Sequence, residues 1–169
     1  GMISSYNYHQ SPLVTLSQPR SPVSEAFRSL RTSLQYSGVD NPLRTLLITS
    51  ATPSEGKTSI SANLATVMAQ SERNVMVLDC DLRRPRIHKV FQVSNRIGLS
   101  DYFIRTSDRM DGVIKKTENP RVSVITSGSL PPNPSELLNS TRMNEVIDLL
   151  SQHFDHIVLD TPPLLAVTD

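Results

Sequence analysis

Four short apolar runs separated by helical stretches predict an α/β fold, a three-layer sandwich around a mostly parallel sheet with one extra helix in front. The runs cover residues 45–49, 75–78, 122–126 and 156–159. Ile60, Leu64, Val67 and Met68 recur at helical spacing after the first run, and Met143, Val146, Ile147 and Leu150 do so before the last. Strands alternating with helices make βαβ units, whose crossovers place helices on both faces of a parallel sheet. A third observation is local. Gly56, Lys57 and Thr58 stand where the first run gives way to its helix.

The extra helix begins at Ser21, a capping residue, followed by Pro22 at the first helical position and closed by Gly38. Val23, Ala26, Phe27, Leu30 and Leu34 form its apolar stripe. Before it, residues 1–20 are polar, carry Pro12 and Pro19 and show no period, so they are expected to form a flexible arm. Residues 21–169 then make one domain. A short helix over 99–104 and a proline-rich loop over 130–133 complete the reading. The chain stops soon after the fourth run, early for a sheet whose edges need cover. The expectation is a domain cut short there, or one covered by something else. Gly1 before Met2 reads as a remnant of tag cleavage.

Composition narrows the class. Apolar residues make up 37% and charged residues 20%, and the formal net charge of +1 gives no global field toward nucleic acid or an acidic membrane. The apolar runs are too short to span a bilayer, and no secretory leader is legible. The single cysteine, Cys80, excludes an internal disulfide and fits a reducing cytosol. Scattered histidines offer no transition-metal site. A cytoplasmic domain is expected.

The chemistry lies in three segments. The run from Leu46 to Ser59 is strand, loop and helix, and from Gly56 onward it follows the phosphate-binding pattern of glycine, lysine and hydroxyl residue. Such a loop aims backbone N–H groups and a helix N-terminus at a phosphate, with Lys57 as a mobile cation and Thr58 as a hydroxyl for magnesium. The usual first glycine, six positions before the lysine, is replaced by Ala51. The second run ends in Asp79-Cys80-Asp81 and the fourth in Asp160. Parallel strand ends gather on one edge, where ligands bind, so three carboxylates converge on the phosphate loop and have magnesium as their natural partner. The plainer alternative is that each aspartate caps the loop that follows it.

These segments together resemble the bacterial tyrosine kinases of capsule and exopolysaccharide synthesis, a branch of the P-loop NTPases. The form Ala-x-Pro-x-x-Gly-Lys-Thr is matched by Ala51, Pro53, Gly56, Lys57 and Thr58, which makes Ala51 expected. The acidic strand continuing into Leu82-Arg83-Arg84-Pro85-Arg86 is similar to the family's Walker A′ element, and Leu159-Asp160-Thr161-Pro162-Pro163 to its Walker B. Ser127-Gly128 with Pro131 to Leu138 is similar to a further family stretch. The resemblance implies an ATP-dependent, autophosphorylating protein-tyrosine kinase. Its nucleotide (ATP or ADP) would lie on Pro53, Ser54, Glu55, Gly56, Lys57, Thr58 and Ser59. Magnesium would lie near Thr58, Asp81 and Asp160. Lys57, Asp79 and Asp81 would be catalytic, with either aspartate able to serve the incoming tyrosine hydroxyl.

Glu25, Arg28 and Arg31 match the family's Glu-x-x-Arg-x-x-Arg motif for subunit contacts, which implies a ring-like homo-oligomer. Within a chain the same residues would read as a solvated helix face. The resemblance further implies a separate membrane activator of the polysaccharide co-polymerase type. The basic cluster Arg83, Arg84, Arg86, His88 and Lys89 has few interleaved aromatics, so contacts to phosphate, acceptor or partner are expected rather than to nucleic acid. Two other readings stay open: a partitioning or division-site ATPase, disfavoured because positions 51–55 hold no lysine, and a nucleotide-binding interaction module without phosphotransfer.

Overall fold

The computed structural model describes residues 12–52, 56–104, 110 and 112–163. Its centre is a sheet of strands β1 (Thr45–Ile48), β2 (Val75–Asp79), β3 (Ile114–Lys116), β4 (Val122–Ile125) and β5 (His156–Asp160), in the order β1-β5-β2-β4-β3. The first four strands in that order run parallel, and β3 joins β4 antiparallel. The four expected strands are present. β3 is an addition, because Ile114-Lys115-Lys116 is too short and too charged to stand out as an apolar run.

β2 is buried along its whole length, as a central strand covered on both faces must be. Helix α3 (Lys57–Ala69) covers one face, packing Leu64, Val67 and Met68 on Val75, Val77 and Val158. Helices α5 (Leu99–Ile104) and α7 (Thr141–Ser151) cover the other, where Met143, Val146 and Leu150 meet Met76, Ile157 and Leu159. Two shorter helices, α4 (Ile87–Val90) and α6 (Pro134–Leu138), fill the connections. The three layers are therefore those the alternation predicts.

Helix α2 (Pro22–Ser37) starts as expected, with the Ser21 hydroxyl accepting the Ser24 amide at 3.2 Å and Pro22 in the first turn. Its buried face is rotated from the predicted stripe. Phe27 is buried and Val23 and Leu34 pack on the core, but Ala26 and Leu30 face solvent while Ser24 is buried. The cause is a segment expected to be flexible. Residues 1–11 of the proposed arm lie outside the described residues, but the rest of it folds. Helix α1 (Val14–Ser17) buries Val14 and Thr15, and the Ser24 hydroxyl donates to the Gln18 carbonyl at 2.6 Å.

The side-chain amide of Asn63 on α3 makes four hydrogen bonds that help hold this segment, beside the packing of Val14. Asn63 Oδ1 accepts from the Thr15 amide at 3.1 Å and from its hydroxyl at 3.0 Å, while Nδ2 donates to the carbonyls of Pro12 and Ser59, both at 2.8 Å. A buried amide with both ends satisfied contributes, whereas one partner removed leaves groups unpaired. Asn63→Ala is expected to lower unfolding stability by about 2 kcal/mol, since two buried Thr15 donors lose their acceptor. Urea denaturation measures this, and an unchanged midpoint would show that α1 is not fastened there.

Candidate nucleotide and phosphoryl-transfer site

The parallel register sets the site. β5 lies between β1 and β2, and Asp79 pairs with Asp160 across the β2–β5 ladder while Ile48 pairs with Asp160 across β1–β5. Both aspartates are fully buried. The carboxyl ends of β1, β2 and β5 therefore share one edge, and the loop after β1 leads there into α3.

Gly56 is the residue before α3 and has φ 78°, in the left-handed region. A Cβ there would meet nothing within 4 Å, so glycine is demanded by backbone conformation and not by crowding. This turn aims the first amides of α3 outward, where they have no intrahelical acceptor. Lys57, though a lysine, is 8% exposed. Its Nζ donates to Asp160 Oδ1 at 2.6 Å, a buried ion pair. The Thr58 hydroxyl donates to Asp160 Oδ2 at 3.0 Å, and the Ser61 hydroxyl lies 3.1 Å from Oδ1. Asp160 thus gathers three donors from successive turns of one helix face.

The two carboxylates of β2 have different surroundings. Asp79 Oδ1 accepts the Asp81 amide at 3.1 Å, and Oδ2 accepts the amides of Arg86 and Ile87 at 3.2 Å. Burial, and then the nearby Asp160 carboxylate, push its pKa up from 3.8 to about 7, against the pull of the backbone donors. Asp81 is half-exposed and accepts the Arg84 amide at 3.1 Å. Cys80 between them is buried, and burial raises its thiol pKa well above the usual range, so it is an inert filler.

The expected site residues are partly brought together. Lys57, Thr58 and Asp160 meet, Asp79 is adjacent through the sheet register, and Asp81 follows two residues on. Pro53, Ser54 and Glu55 lie outside the described residues. Ser59 directs its hydroxyl to the Pro12 carbonyl at 3.4 Å, so what it offers the loop is its backbone amide. Ser61 was missed. It lies four residues beyond Lys57, hence on the same helix face, and that spacing was the available signal. Glu25 is exposed and pairs with Arg28 at 2.6 Å. Arg31 departs from the expected outward face, because its Nη1 donates to the Val67 carbonyl of α3 at 2.7 Å.

A parallel sheet whose edge carries a glycine-turned lysine helix, with an aspartate from the adjacent strand closing on lysine and hydroxyl, defines a nucleotide-binding domain of the P-loop class. The AAA domain family (AAA_31) matches residues 45–169. The tyrosine-protein kinase YwqD of Bacillus subtilis (strain 168) is 38% identical over 160 residues, covering 95% of this chain and 67% of the relative. The tyrosine-protein kinase etk of Escherichia coli (strain K12) is 43% identical over 158 residues, covering 94% of this chain but 22% of the relative. The crystal structure of the chimerical protein CapA2B2 superposes with a TM-score of 0.88 at 38% identity, covering 94% of this chain and 70% of that one. The chain belongs to the bacterial tyrosine-protein kinase family.

The raised Asp79 pKa has a direct consequence. Since the folded value exceeds the unfolded one, the folded state holds the extra proton, and this group's contribution to stability falls as pH rises from about 4 to about 7. Carbon NMR of the side-chain carboxyls should show one resonance with a midpoint near 7 that is lost in Asp79→Asn. An Asp79 midpoint at the ordinary value of about 4 would contradict the buried environment described.

Proposed function

We propose that this chain is the phosphate-binding part of an ATP-dependent protein-tyrosine kinase that phosphorylates copies of itself and regulates capsular or exopolysaccharide synthesis. The observation that carries the reading is the convergence of Lys57 and Thr58 on Asp160 beside the Asp79–Asp81 strand end. The donor set fits a magnesium nucleotide: hydroxyl and carboxylate oxygens suit a hard cation, and a lysine with a helix N-terminus suits phosphate. Among the described residues no three acidic, histidine or cysteine side chains are grouped closely enough to hold a metal by themselves. Magnesium would therefore take part of its coordination from the nucleotide, with Thr58, Asp160 and Asp81 around it. When bound, it neutralises the phosphates during transfer.

The chain's own residues supply the rest. Lys57 leaves Asp160 for the β- and γ-phosphates, and the amides from Gly56 to Ser59 hold the same oxygens. The acceptor phenol loses its proton to a carboxylate and its oxygen takes the γ-phosphoryl group as ADP departs. A pKa near 7 suits Asp79 to act as base. Yet both its oxygens are occupied by backbone amides and none of it is exposed, so we assign acceptor contact to Asp81 and loop anchoring to Asp79.

Among the described residues no helix is long and apolar enough to cross a membrane. We infer a cytoplasmic domain that reaches the membrane through a separate activator of the polysaccharide co-polymerase type. Self-association in a ring would use the outward pair Glu25 and Arg28, with Arg31 holding α2 to α3.

Incubation with radiolabelled ATP, magnesium and a tyrosine peptide should yield phosphotyrosine that is lost in Lys57→Met. Removing that lysine leaves Asp160 buried without its counter-charge, so circular dichroism must first show the variant folded. ATP hydrolysis without phosphotyrosine would sink the kinase reading in favour of an ATPase. Light scattering tests assembly: Glu25→Ala with Arg28→Ala should reduce the oligomer to monomer, and an unchanged mass would remove this face from the interface.

A further inference from the structure

The loop joining β2 to α4 carries a charge concentration that phosphate binding leaves unused. Arg83, Arg84, Arg86, His88 and Lys89 put five basic residues between positions 83 and 89, in a chain whose net charge is +1. The side chains of Arg84, Arg86 and Lys89 are exposed. None of these three is in an ion pair among the described residues. A basic surface loop is usually just solvated, and composition alone would not lift this one above that reading.

What distinguishes it is how its backbone is held. The Arg84 amide donates to Asp81 Oδ1, and the amides of Arg86 and Ile87 donate to Asp79 Oδ2. The two carboxylates at the end of β2 therefore grip the loop directly. They fix the main chain of Arg84 and Arg86 against the place assigned to the incoming tyrosine, and leave the guanidinium groups facing solvent. A guanidinium without a partner keeps its whole fork of donors for a carboxylate or phosphate.

We propose that this loop selects the acceptor, taking a tyrosine flanked by negative charge. Acidic side chains and phosphate already placed on a neighbouring residue both supply that charge, since both offer the same paired oxygens. The inference rests on the phosphotransfer reading, because it names the substrate class of that site. It also separates the roles of two sets of cations: Lys57 holds the nucleotide, and Arg84, Arg86 and Lys89 hold the peptide.

Binding without turnover tests it apart from kinase activity. Fluorescent peptides with one tyrosine between glutamates, between lysines, or beside a phosphotyrosine are titrated with the protein in magnesium and ADP, followed by anisotropy. The glutamate and phosphotyrosine peptides should bind about tenfold tighter than the lysine peptide, the effect of one well-formed charged contact. Preference for only one of these two identifies its source as carboxylate or phosphate. Arg84→Glu with Arg86→Glu should invert the order while ADP affinity stays within about twofold. Arg84→Ala with Lys89→Ala should flatten it, which guards against a misfolded reversal variant. Equal affinities, or an order that survives charge reversal, would overturn the proposal. So would a single-stranded oligonucleotide binding as tightly as the glutamate peptide, because the loop would then be a general polyanion surface. Loss of ADP affinity in the reversal variant would overturn it too, by placing the arginines on the nucleotide. If the order and its inversion hold but no peptide is phosphorylated, the kinase reading fails and the recognition surface stands.

Discussion

The Lys57–Asp160 ion pair is the contact around which the rest of the structure is arranged. Two opposite charges withdrawn from water are tolerated only when each has partners for its remaining groups. Asp160 meets that condition through the Thr58 and Ser61 hydroxyls, and its carbonyl accepts the Cys80 amide at 2.8 Å. The helix, the β5 strand and the start of the β2–α4 loop are thereby joined at one residue. Without nucleotide, the pair keeps the lysine from standing as an uncompensated buried charge. On the proposed reading, phosphate would compete with Asp160 for Lys57, and a magnesium ion held by Asp160 would release the lysine.

The carboxylates of β2 complete a division of labour that residue type alone does not disclose. Asp79, buried and capped by three amides, keeps a loop in place, and burial beside the Asp160 carboxylate pushes its pKa up to about 7. Asp81, two residues later in sequence, remains accessible. On the other side of α3, Asn63 fastens the segment around α1, and Arg31 fastens α2. The helix that starts at the phosphate loop is thus held from both sides, which gives a flexible ligand a rigid seat.

Much of this is legible in the sequence. The alternation of apolar runs gave the layers, and the ends of those runs placed Lys57, Thr58, Asp79 and Asp160 on one edge, because parallel strands must end together. What escaped notice shares a physical cause. α1, β3 and α4 are each three or four residues long, below the length at which a period can be seen. The inward turn of Arg31 depends on a backbone carbonyl of another helix, and the burial of Asp79 depends on amides seven and eight residues later. The polar composition around Pro12 hid a folded segment because its one buried apolar residue, Val14, is too little to show a period, and the rest of its fastening is the Asn63 side-chain amide.

The competition for Lys57 is tested most directly by calorimetric titration of ADP, with and without magnesium, into the protein and its Asp160→Asn variant. If Asp160 both restrains the lysine and meets the metal, magnesium should tighten ADP binding about tenfold or more in the parent and not in the variant. Metal-free ADP should bind the variant at least as well as the parent. Equal losses of affinity with and without magnesium would contradict the account, because Asp160 would then merely hold the fold together.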